Sequence, residues 1–99
     1  MYAIFSVEKN NVGKADEILK DDIVSRQSIA IRDAPALDIN NENRYILIEG
    51  NEQAIKRAEE LFKEIGKKEN KKEAKEIYDK IKKEEENVAE GVGFIFGGS

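Results

Sequence analysis

The chain has no cysteine, no histidine and no tryptophan, and a single proline and a single methionine among its 99 residues. Without cysteine there is neither a disulfide framework nor a thiolate nucleophile, and without histidine there is no imidazole base and none of the usual zinc-ligand sets. Many enzyme classes lose their central group on those two counts. The expectation is therefore a non-enzyme with no metal and no cofactor. Long apolar runs are missing too, since none approaches the roughly 18 residues of a membrane span. The opening "MYAIFSVEKNN" lacks the basic segment and small-residue cleavage site of a signal peptide. We expect a cytoplasmic chain without membrane association.

What is present is charge and aliphatic side chains in equal measure, 38% charged and 39% hydrophobic. That balance is too apolar for wholesale disorder and predicts one globular domain with a modest core. Abundant lysine and glutamate without cysteine also suits a heat-adapted protein. The net charge is −4, and it is unevenly placed: residues 1–66 carry 9 basic and 13 acidic side chains, whereas the remainder is balanced. An acidic core argues against nucleic acid and anionic membrane surfaces as partners.

Along the chain, "YAIFSVE" is apolar on both alternating faces apart from Ser6, the pattern of a strand inside a sheet. Ala15, Ile18, Leu19 and Ile23 then recur at helical spacing and predict a helix over about 12–24. "SIAIR" and "NRYILIEG" read as two antiparallel strands joined by the loop "DAPALDINNEN". Asn51 offers an N-cap to a second helix whose apolar stripe runs through Ala54, Ile55, Ala58, Leu61, Phe62 and Ile65. Gly66 should end that helix in a left-handed C′ position. From Ile65 to Ala74 the stripe falls about half a turn out of phase, so a third helix begins separately, with Asn70 and Glu73 as a capping box and Gly91 as its terminator.

The predicted fold class is α+β: a two-layer sandwich with a β-α-β-β-α core, ferredoxin-like or KH-like split βαβ, plus a charged C-terminal helix and a fourth strand from "GFIF". Residues 1–66 form the core, 67–90 the charged helix and 91–99 an apolar, glycine-containing tail, all within one domain.

Candidate chemistry is sparse. "DINNEN" places Asp38, Asn40 and Glu42 at calcium-loop spacing, but Asn43 stands where that loop needs glycine, and residues 44–49 read as strand. "YILIEGNEQAIKRAEELFKEI", residues 45–65, resembles the last strand and helix of a KH domain, with Gly50 and Ala58 eight positions apart. That resemblance implies an RNA-associated role as the alternative function. The family's clamping loop has no counterpart in "NNVGKAD", which holds one glycine, so no binding residue is carried over. Arg32 and Arg44 are candidates to hold an anionic ligand or a partner carboxylate on an uncovered sheet face, which would suit a small anionic-ligand sensor.

The charged helix carries Ala74, Ile77, Tyr78, Ile81 and Val88 as a narrow seam. Lysines 71, 72 and 75 load its start, and glutamates 84, 85, 86 and 90 its end, the reverse of what the helix dipole favours. An antiparallel pairing with a second copy would match the two ends, and the other reading is a solvated helix leaning on its own domain. Ile77, Tyr78, Ile81, Val88, Phe94, Ile95 and Phe96 are thus the candidate assembly residues. The functional expectation is a binding or protein-interaction module, with a homodimer or another protein as partner.

Overall fold

The computed structural model describes residues 1–98, with side chains described through Glu85. Four strands, β1 (Tyr2–Val7), β2 (Ser28–Asp33), β3 (Arg44–Glu49) and β4 (Gly66–Lys68), form one sheet in the order β2-β3-β1-β4. Every neighbouring pair is antiparallel. Three helices complete the α+β sandwich: α1 (Val12–Ile18), α2 (Glu52–Phe62) and α3 (Lys71–Gly98). β1 lies inside the sheet, as its two apolar faces predict. Ala3, Phe5 and Val7 join the core under α1 and α2, while Ile4 belongs to a second core under α3.

Helix α1 is shorter than its apolar spacing suggests. Asp21, within the helix expected over about 12–24, instead accepts the backbone N–H groups of Ile23 and Val24 at 3.1 and 3.2 Å, which turns the chain into a 3₁₀ segment at Val24–Arg26. Arg57 of α2 donates to the same carboxylate at 2.9 Å. That hydrogen bond, ahead of the two backbone donors, holds the Asp21 carboxyl below the usual range.

Helix α2 follows the sequence closely. Asn51 caps it by accepting from the Ala54 N–H at 2.9 Å, and Ala54, Ile55, Ala58 and Phe62 are buried. Phe62 stacks on Phe5 with ring centroids 4.6 Å apart. Gly66 does not take the left-handed position expected of it, since no glycine among the described residues has positive φ. It opens β4 opposite Val7, where a Cβ would lie 2.8 Å from the Ser6 carbonyl oxygen. Close backbone approach, not turn geometry, is what requires glycine there.

β4 then carries the chain across the sheet edge. Asn70 accepts the Glu73 N–H at 2.9 Å and starts α3 on the opposite face. The half-turn phase break in the sequence thus marks a change of sheet face. α3 covers the face expected to be open, adding a third layer to the sandwich. Ile77 and Ile81 pack with Ile4, Leu47, Tyr45 and Leu37 in the second core. Tyr78 stacks on Tyr2 at 4.2 Å and donates its hydroxyl to Glu49 at 3.3 Å. Gly91 does not end the helix, whose span runs to Gly98. The fourth strand is Gly66–Lys68, whereas residues 91–96 fall within the span of α3; with Val88, they lie outside the residues whose side chains are described.

Ile81 is fully buried. Ile81→Ala should therefore lower the unfolding free energy by about 2–5 kcal/mol in urea titration, and a loss under about 0.5 kcal/mol would mean that α3 is not part of the core.

Candidate functional site

Arg32 and Arg44 occupy adjacent strands, but register separates them. Arg32 lies opposite Tyr45, and Arg44 opposite Asp33 and Val7, so the two side chains leave opposite faces of the sheet. Arg32 faces α3, and its Nε donates to Glu84 at 3.2 Å. Arg44 faces α1, donating to Asp33 at 3.1 Å and lying 4.0 Å from Asp16. They do not form one anion site, and each guanidinium is already matched by a carboxylate. The uncovered face assumed for them is the one α3 occupies.

A polar cleft of about 440 Å³ lies between the 38–43 loop, β4 and the first turns of α3. Asp38 holds φ 58°, a left-handed turn, and Asn41 then accepts the Asn43 N–H at 2.8 Å and donates to the Tyr45 hydroxyl at 3.0 Å. Lys80 of α3 closes the other side by donating to the Leu37 carbonyl at 2.8 Å. Glu69 and Glu73 line the floor. Partial burial, then the hydrogen bond with Glu73, pushes the Glu69 carboxyl above the ordinary glutamate range. The loop that resembled a calcium site is thus occupied with its own turn, and no group of three metal-ligating side chains occurs among the described residues. Within it, Asn41, the Tyr45 hydroxyl and Lys80 are bonded within the chain.

The sheet's two edges offer a different kind of surface. The β4 edge is three residues long and carries Lys67 and Lys68, charges that blunt an open edge. The β2 edge is six residues long, carries Ile29 and Ile31, and pairs with no strand on its outer side among the described residues. Its outward groups follow from the ladder. Ala34 donates to Asn43 across the β2–β3 register, so Ser28, Ala30 and Arg32 bond inward to β3. The N–H and C=O groups of Ile29, Ile31 and Asp33 then point outward, and the Ile31 carbonyl accepts from Arg32 Nη1 at 2.8 Å, which leaves its second lone pair open. Ile31 is also one of the few large apolar side chains left substantially exposed, at 38%.

α3 reaches this same edge, at Glu84 over Arg32. Among the candidate assembly residues, Ile77 and Ile81 are buried in the chain's own core and Tyr78 is half-buried against Tyr2. Val88, Phe94, Ile95 and Phe96 belong to the part of α3 whose side chains are not described. Sequence reading missed the β2 edge because alternation identifies a strand but not its place in the sheet order. Comparison with protein-family models, with curated proteins and with solved structures returned no match.

The raised Glu69 carboxyl makes a pH prediction. A folded-state value above the unfolded one, near 4.3 for glutamate, means the stability associated with the neutral carboxyl is fully present below pH 4.3 and lost as pH rises through the folded value. Glu69→Gln should therefore raise the urea midpoint relative to the parent chain at pH 7, with the gain shrinking toward pH 4. An equal effect at both pH values would show that burial of the charge is not its cause.

Proposed function

We propose that this chain is a non-catalytic protein-interaction module that takes an extended segment of a partner protein along β2, with the C-terminal part of α3 contributing to assembly at the same edge. The observation that supports this reading is the outer side of β2: the outward backbone groups of Ile29, Ile31 and Asp33, with only the Ile31 carbonyl touched by the chain's own Arg32, beside the exposed Ile31 side chain. A strand added there gains main-chain hydrogen bonds, each worth about 0.5–1.5 kcal/mol net. It also covers the isoleucine. The polar cleft is a weaker basis for a ligand, because Asn41, the Tyr45 hydroxyl and Lys80 already bond within the chain. The arginine pair is weaker again, being split between faces and neutralised.

A random-peptide display selection against the immobilised chain tests this reading. Extended sequences rich in β-branched residues should be enriched, and their binding should fall at least tenfold against Ile31→Lys, which places a charge on the edge without touching the β3 ladder. Enriched peptides that bind the variant equally well would move the docking surface elsewhere.

A further inference from the structure

We infer that the segment β2 receives is β2 of a second copy, paired antiparallel about a two-fold axis at Ala30. The inference rests on the reading of β2 as a docking edge and adds the identity and register of its partner. In an antiparallel ladder, residues with outward hydrogen-bonding groups must face others of the same kind. For β2 those are the odd-numbered positions, so paired residue numbers must sum to an even value, and the axis must pass through a residue. The stretch "QSIAIRD", residues 27–33, is close to symmetric about Ala30. Centring there sets Ile29 against Ile31 twice, Ser28 against Arg32, and Gln27 against Asp33. Apolar residues thus meet apolar, and polar meet polar. Gln27 is extended, with φ −90° and ψ 171°, but its N–H already donates to the Val24 carbonyl at 3.0 Å, so the ladder's central hydrogen bonds come from Ile29 and Ile31. Moving the axis to Ile31 would instead set Ile29 against Asp33.

The face carrying α3 accommodates the same axis. Alanine at the centre leaves room where the two sheets join. Glu84 meets Arg32, two residues from the axis, or roughly 7 Å along the strand, so the two α3 helices pass on opposite sides of it. They run antiparallel there, so neither helix crosses the other at the axis.

The absence of native cysteine allows a direct test on the full chain. Paired residues that do not exchange hydrogen bonds lie about 4.5 Å apart between Cα atoms, within disulfide range. Ala30→Cys should therefore cross-link to its own copy under mild oxidation at least tenfold faster than Ser28→Cys or Ile31→Cys, whose copies lie beyond bridging distance. By light scattering the parent chain should have twice the 11.2 kDa chain mass. Ile31→Lys should have the single mass with an unchanged circular dichroism spectrum. A parent chain that stays monomeric at millimolar concentration overturns self-pairing. So does a dimer that survives Ile31→Lys, and faster cross-linking of Ile31→Cys overturns the register. A monomer that still selects peptides sensitive to Ile31→Lys would leave the docking edge standing and remove only the second copy. A monomer that selects none removes both.

Discussion

Ile77 and Ile81 packed against Ile4, Tyr45 and Leu47 form the contact on which the rest of the molecule depends. Without α3, the central strands would present those residues to water, at a cost of about 1.5–3 kcal/mol for each large aliphatic side chain. A 99-residue chain has few such contacts to lose. The helix has little intrinsic reason to form, given its reversed charge order, and tertiary packing supplies it. The ring of Tyr78 on Tyr2, the Lys82–Glu49 ion pair and the Arg32–Glu84 pair then fix its path across the sheet. Those ion pairs are partly exposed and orient more than they stabilise.

Covering the second face determines what remains for recognition. With helices on both faces, the sheet has only its edges to offer. Arg32 becomes part of the mounting of α3, and Arg44 ties β3 to α1 and to Asp33. Neither is left as a free cation. The cleft beside the 38–43 loop arises because that loop folds on itself, with Asn41 bridging the Asn43 backbone and the Tyr45 hydroxyl. Its polar groups shape a turn and seat the start of α3.

Much of the α+β core is legible in the sequence, for reasons that are local. Asn51 ahead of a broad apolar stripe can only be a capped helix, and β1 is apolar on both sides because both sides are covered. The phase break between Ile65 and Ala74 was also legible, though its meaning was not. It separates two helices on opposite faces, and the three-residue β4 that joins them has no pattern of its own in "GKK". Gly66 illustrates the limit. Its sequence position suits a helix terminator, and only the Ser6 carbonyl 2.8 Å from its missing Cβ reveals the actual constraint. Asp21 likewise reads as a surface residue until Arg57, 36 positions away, is seen to reach it. The candidate edge was illegible because strand order is set by long-range pairing.

The asymmetry between the two edges carries the functional argument furthest. A sheet open on both sides is a template for unlimited addition, and proteins prevent this with charge, brevity or cover. Here brevity and lysines 67 and 68 act together at β4, while β2 keeps its full length and its isoleucines. One guarded edge and one open edge permit a single pairing event. If that event is two-fold, both open edges are consumed and association stops at two chains; pairing of β2 with a different edge would leave β2 open on one copy and allow growth. The near-symmetry of residues 27–33 about Ala30 favours the closed outcome, because it lets one short strand serve as its own complement.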